Sequence, residues 1–312
     1  MTQPKALGII NEVRKTIIGK DTVVCKTLMA IIAGGHILLE DNPGVGKTTM
    51  ALAFSRAMSM SFSRVQFTPE TMPSDVVGYS VLGRESGKLE YRPGAIMCHL
   101  FLADEINRTS AKTQSALLEA MEEGQVTVDG VSRRLPRPYT VIATQNPFGT
   151  AGTQPLPESQ LDRFMIRLSI GYPTAEQEIG ILRQTEDKRP LESVRAAASL
   201  EEVTAMRGEA ARVHVADDLY KYVADLCTAT REDPALRLGA SPRAGQALVR
   251  ICRASAWMGG RDYVVPADIH LLFQDVMAHR VALEPQARLS GSDAPSVLEG
   301  VLSAVPAPKL LR

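Results

Sequence analysis

Lys47 and Thr48 sit near the end of the string HILLEDNPGVGKTT (residues 36–49), where an apolar run gives way to a glycine-rich turn and then to a helix-forming stretch. That order of elements suits a loop that wraps nucleotide phosphates. Successive backbone N–H groups and a helix N-terminus then converge on the β- and γ-phosphates. Asn42, Pro43, Gly44, Val45, Gly46 and Thr49 are expected to complete the cradle. Lys47 would neutralise phosphate charge, and the Thr48 hydroxyl would hold the Mg²⁺ that accompanies the nucleotide. The general pattern G-x-x-x-x-G-K-[ST] begins with glycine, and this chain has Asp41 there. Because that glycine mainly shapes the strand exit, the cradle is expected to survive.

A second apolar run, HLFLADE, ends in Asp104 and Glu105 and is expected to lie beside the phosphate-loop strand. Asp104 would hold Mg²⁺ through water, and Glu105 would polarise a water for attack on the γ-phosphate. An acidic pair at a strand end is more often solvated surface; coupling to a phosphate loop reverses those odds. Asn146, in ATQNP, could hydrogen-bond that water and the γ-phosphate, its plainer role being a turn-former before Pro147. Arg163, in LPESQLDRF, falls at the edge of the core, and Arg243, in GASPRA, falls in the first turn of a helix. A cation there opposes the helix dipole, so Arg243 predicts a nearby anion. Either arginine could reach a transferring γ-phosphate or simply make an ordinary salt bridge. Arg108, Arg133 and Arg134 read as surface or interface residues.

These residues need a scaffold that gathers strand ends. Short apolar runs at Ile37–Leu39, Val65–Phe67, His99–Ala103, Thr140–Thr144 and Phe164–Ile170 alternate with helical patterns. That alternation predicts a parallel sheet covered on both faces, with ligands at the carboxyl ends of its strands. His99 is expected to be a packed core residue. Residues 75–93 and 125–135 read as β-hairpin insertions, the second around Asp129-Gly130. Emerging near the nucleotide, they could be moving parts that touch a partner. After Tyr172-Pro173 the patterns turn helical, at 174–187, 217–230, 241–257 and 266–279. Residues 1–172 are therefore expected to form a nucleotide-binding core and 173–312 an all-helical lid ending in a loose helix plus tail. Ser241 suits an N-cap, with Pro242 at the first helical position.

The 312 residues allow one large or two ordinary domains, and 45% apolar with 22% charged residues is ordinary for a globular protein. Basic and acidic side chains balance at 35 each, so no bulk field favours nucleic acid or anionic lipid. Cys25, Cys98, Cys227 and Cys252 lack metal-ligand spacing and suggest reduced thiols. Neither a signal peptide nor a membrane-length apolar stretch is visible, so a cytoplasmic protein is expected.

The phosphate loop, FTPETMPSDVVG, LADEINRTSAKTQSALLEAMEEGQVTVDG, ATQNP, LPESQLDRF and GASPRA together resemble the MoxR family of AAA+ ATPases, over residues 8–283. The resemblance implies an αβα core, a helical lid, and ATP with Mg²⁺ bound between subunits of a ring, usually a hexamer. It makes Asn146 the first sensor, Arg163 the finger offered to a neighbour and Arg243 the second sensor. Departing from the pattern, FGTAGTQ (148–154) lacks the acidic residue often seen after NP. MoxR-like proteins act as chaperone-like remodellers, often beside a partner with a von Willebrand factor A domain, and some mature metal-containing enzymes. The alternatives are the motor subunit of a metal chelatase, a nucleic-acid motor and a non-hydrolysing nucleotide-gated scaffold. Balanced charge and 5% aromatics count against nucleic acid. A small-molecule kinase would not need Arg243 on a remote lid.

Overall fold

The computed structural model describes residues 3–85, 87–146, 156–184 and 190–309; FGTAGTQ lies outside them. Helices α1 (Pro4–Arg14) and α2 (Asp21–Ile32) precede β1 (Ile37–Glu40), and α3 (Lys47–Ala57) leads to β2 (Phe62–Gln66). A short α4 (Pro73–Val77) opens the hairpin of β3 (Gly78–Leu82) and β4 (Leu89–Pro93). Strand β5 (Leu100–Asp104) feeds α5 (Ala111–Glu123), the hairpin of β6 (Gln125–Val128) and β7 (Val131–Arg134), and then β8 (Thr140–Gln145). One turn, α6 (Glu158–Leu161), enters β9 (Ile166–Leu168). Beyond it lie α7 (Ala175–Gln184), α8 (Leu200–Ala211), α9 (Asp217–Glu232), α10 (Pro242–Met258), α11 (Pro266–Met277), α12 (Pro285–Leu289) and α13 (Ala294–Ala304).

The central sheet runs β2-β5-β8-β1-β9, with every pairing parallel. Its inner strands β5, β8 and β1 are buried on both faces, and the alternation shows in the two apolar clusters. Ile37, Leu39, Leu100, Leu102, Ile142 and Ile166 pack with α1–α3 and the C-terminal helices. Leu38, Phe101, Ala103, Val141 and Ala143 face the other way, toward Leu117, Leu118 and Met121 of α5. An α/β sandwich follows, and with it the fold class expected above.

Four expectations change in detail. Strand β5 does not lie beside β1: β8 is hydrogen-bonded between them, so Asn146 rather than Asp104 follows the strand adjacent to the phosphate loop. His99 precedes β5 and is only partly buried, its Nδ1 2.6 Å from the Ser61 hydroxyl, because it stands at the start of the strand rather than within it. The helical region contains a small antiparallel ladder of β10 (Leu236–Leu238) and β11 (Ala282–Leu283). The expected C-terminal helix is present but packed rather than loose: α13 buries Leu298 and Val301 against α9 and α11. Helix α8 lacked an obvious apolar stripe, though the Ser199–Glu202 capping box marks its start.

Both hairpins form. Asp129 (φ 51°) and Gly130 (φ 74°) are both left-handed, the two-residue turn that matches strand twist. Gly78 (φ 94°) closes the first hairpin where a Cβ would stand 2.4 Å from the Arg92 carbonyl, so only glycine fits. The Arg133 guanidinium lies 4.0 Å from the Tyr91 ring centroid and joins the hairpins into one unit.

His36 precedes β1 and is partly buried, its Nδ1 accepting from the Val141 N–H (3.0 Å) and its Nε2 facing the Met121 carbonyl (3.2 Å). Burial lowers its pKa to about 4. An unfolded histidine titrates near 6.5, so between those values the unfolded chain takes up a proton that the folded chain refuses. Stability is therefore lost as pH falls through that window, by on the order of 1–2 kcal/mol at pH 5 for this residue. In urea unfolding, His36→Gln should lose less stability than the parent chain between pH 7 and 5; an equal loss would assign the effect elsewhere.

Candidate nucleotide site

The loop after β1 wraps a cavity of about 350 Å³ lined by Pro43, Gly44, Gly46, Lys47, Thr48, Thr49, Arg64, Gln66, Asp104 and Glu105. Gly44 (φ 85°) and Gly46 (φ 93°) take backbone angles that a side chain would strain. Helix α3 starts at Lys47, so its first-turn N–H groups open toward the cavity with no intrahelical acceptor. Lys47 is half-buried, and its Nζ donates to the Asp41 carbonyl (2.7 Å). Burial lowers its pKa, opposed by the carboxylates of Asp41, Asp104 and Glu105.

Asp41 is more than a tolerated departure. Its buried carboxylate accepts the Ser169 hydroxyl (2.7 Å) and the N–H groups of Ile170 (2.6 Å) and Gly171 (3.0 Å). The carboxylate thereby fastens the start of the phosphate loop to the chain leaving β9. No local pattern signals this tie, since its partners lie far along the chain.

Asp104 and Glu105 meet the loop as expected, joined by Thr144 of β8. The Thr144 hydroxyl donates to Asp104 Oδ1 (2.6 Å) and accepts the Glu105 N–H (2.9 Å). Glu105 itself is left-handed (φ 55°), a conformation that a non-glycine residue holds only when its surroundings compel it. Arg108 is exposed, as expected, and pairs with Glu105 Oε2 (2.7 Å). Asn146 follows β8 between the ends of β1 and β5, its carbonyl accepting from Asn107 Nδ2 (3.3 Å). The donor set of the cavity is hard oxygen, from Thr48 and Asp104, which suits a divalent cation carried in with phosphates. Among the described residues no His/Cys/Asp/Glu cluster forms a separate metal cage.

Arg163 and Arg243 are brought together, but not here. Both bind Glu122 at the end of α5, Arg243 Nη1 at 2.8 Å and Arg163 Nε at 3.3 Å. They line a second cavity of about 570 Å³ with Gly34, Gly35 and His36, which precede β1. The phosphate loop follows β1, whose four residues separate the two ends by about 13 Å. The anion expected beside Arg243 is therefore Glu122. Ser241 caps α10 as expected, accepting from the Ala244 N–H (3.2 Å), and its hydroxyl donates to Asp162 (3.1 Å). Buried Arg280 fixes the same segment: Nε donates to Asp162 Oδ1 (2.7 Å), Nη2 to the Phe164 carbonyl (2.6 Å) and Nη1 to the Met165 carbonyl (3.1 Å). A further cavity of about 510 Å³ between α9 and α10 is largely apolar and lacks a phosphate cradle.

Phosphate loop, acidic strand end and helical appendage define an AAA-type nucleotide-binding ATPase. Residues 36–166 match the family model described as ATPase family associated with various cellular activities (AAA), and residues 228–300 match the AAA lid domain. Over 299 residues the chain is 43% identical to the uncharacterized protein YeaC of Bacillus subtilis, covering 96% of this chain and 93% of that one. It is 36% identical to Chaperone MoxR1 of Mycobacterium tuberculosis, covering 96% of this chain and 82% of that one. A crystal structure from Cytophaga hutchinsonii, described as a candidate ATPase, superposes with a TM-score of 0.91 at 36% identity, covering 98% of this chain and 95% of that one. The chain belongs to the MoxR family of AAA ATPases. It binds nucleotide and is an ATP hydrolase.

Asp41→Gly would restore the glycine of the general loop pattern, yet it strips acceptors from two backbone N–H groups. Denaturant unfolding should show a loss of about 2 kcal/mol. A variant as stable as the parent would mean that the tie contributes nothing.

Proposed function

We propose that this chain works as a ring whose ATP sites lie between subunits, and that hydrolysis drives the remodelling or maturation of partner proteins. In this reading Asn42 to Thr49 cradle the triphosphate, with Lys47 on its charge. Thr48 and Asp104 hold Mg²⁺, which would supply Lewis-acid stabilisation of the phosphate oxygens. Glu105 orients and polarises the attacking water, and Asn146 senses the γ-phosphate. Residues 1–172 serve as the ATP-binding core and 173–312 as the lid.

One observation carries the inter-subunit part: Arg163 and Arg243 share Glu122 at the end of the sheet opposite the phosphate loop. A guanidinium there cannot act on its own chain's triphosphate across the length of β1. Offered outward, the pair suits the γ-phosphate of a neighbouring copy, where arginine stabilises the charge of the transferring phosphoryl group. Ser241 and Arg280 both grip Asp162, so the Arg163 segment moves with α10 and α11. Nucleotide state in one subunit thus reaches the helical lid of the next.

The chaperone name of the Mycobacterium relative and the family resemblance support a protein client, with a von Willebrand factor A domain protein as partner. The hairpins suit such contact. Leu82 and Leu89 face each other in register and are both exposed, as are Tyr79 and Val131. Arg133 is occupied over Tyr91 and by the Val128 and Val131 carbonyls, which counts against a nucleic-acid motor.

Complementation tests the arrangement. Arg163→Ala should keep ATP binding and lose hydrolysis by about 100-fold or more, and Glu105→Gln should do likewise. Mixing the two should restore turnover, because the interface joining an intact Glu105 to an intact Arg163 is whole. Activity no greater than the sum of the separate variants would sink the shared site. Lys47→Ala should lose nucleotide affinity; undiminished binding would remove the phosphate loop from the account.

A further inference from the structure

Arg64 is the charged side chain in the nucleotide cavity to which sequence patterns assign no role. It lies on the edge strand β2, two residues before Gln66, so both side chains share the face that looks toward Asp104. Its Nη2 donates to Asp104 Oδ2 (2.7 Å) and to Gln66 Oε1 (2.9 Å), and its Nε approaches the same Asp104 oxygen (3.2 Å). The other Asp104 oxygen is occupied by the Thr144 hydroxyl. Asp104 is 7% exposed, and both carboxylate oxygens therefore already have partners.

We propose that Arg64 is the counterion of Asp104 in the metal-free protein and that Mg²⁺ binds by displacing it. This rests on the reading of Asp104 as a metal-holding residue. Mg²⁺ held at Asp104 would compete with Arg64 for Oδ2, since the Thr144 bond engages Oδ1 and ties it to Glu105. A guanidinium and a divalent cation cannot share that oxygen without strong like-charge repulsion. The Gln66 amide oxygen is already bonded to Nη2 and gives the released guanidinium a ready acceptor. Arg64 is 44% exposed along its side chain, which leaves it room to move without unpacking the core. The exchange also has a use: with no metal present, Arg64 keeps an unpaired carboxylate away from incoming phosphates. Metal-free nucleotide is then tolerated, and the gain from Mg²⁺ is held down.

The test is the coupling between metal and nucleotide, measured by calorimetric titration of ADP in EDTA and over a series of free Mg²⁺ concentrations. In Arg64→Gln the ratio of the Kd in EDTA to the Kd in saturating Mg²⁺ should rise about three- to tenfold over the parent. The change should come from both directions, with weaker binding in EDTA and a lower Mg²⁺ requirement. Arg64→Lys keeps the charge and should stay near the parent ratio. A merely structural role would weaken both arms equally and leave the ratio unmoved, which would overturn the proposal. If the parent chain binds ADP in neither condition, the nucleotide site itself fails, and Arg64 with it. If it binds and the ratio is unmoved, Arg64 alone fails.

Discussion

The length of β1 governs the molecule. Its four residues carry the phosphate loop at one end, while the chain entering it borders the cavity of Arg163 and Arg243 at the other. Strand β1 cannot bend to bring these ends together, because β8 and β9 hold it on either side and apolar layers pack above and below it. Chemistry that needs both ends must take one from each of two molecules. The ring proposed here is a consequence of that separation, and the helical lid is fastened at the arginine end, through Asp162, rather than over the phosphate loop.

Within the cavity, charge is balanced locally by the chain's own groups. Lys47 is held by the Asp41 carbonyl, Arg64 by Asp104 and Arg108 by Glu105. Isolated charges in a partly dehydrated pocket are costly, so each finds the nearest opposite charge or dipole. Thr144 sits at the centre of this arrangement, since one hydroxyl orients Asp104 and holds the backbone of Glu105. A neutral threonine inside an apolar strand would pass in the sequence for a packing residue.

Far more of the fold than of the site's supports was legible along the chain. Near-continuous apolar strands, the Asp129-Gly130 turn and the Ser241-Pro242 helix start each follow from local rules of side-chain period and backbone angle, and each appears where those rules put it. The phosphate loop was equally plain, because strand, glycines, lysine and helix are contiguous. His99 and the strand order went astray for a shared reason. Both depend on which strands become neighbours, and an apolar run looks the same at an edge, at its first residue or in the centre of a sheet.

By itself, then, the order of residues determined the class of fold, the phosphate loop and the identity of the charged groups that could serve it, since these rest on interactions within a few positions. Only the tertiary structure decided which charge meets which. Asp41 reaches Ser169 to Gly171, Arg64 reaches Asp104, and Glu122 gathers two arginines from separate segments. Electrostatic pairing depends on distance in space, and sequence separation carries almost none of that information until the sheet has brought the strand ends together.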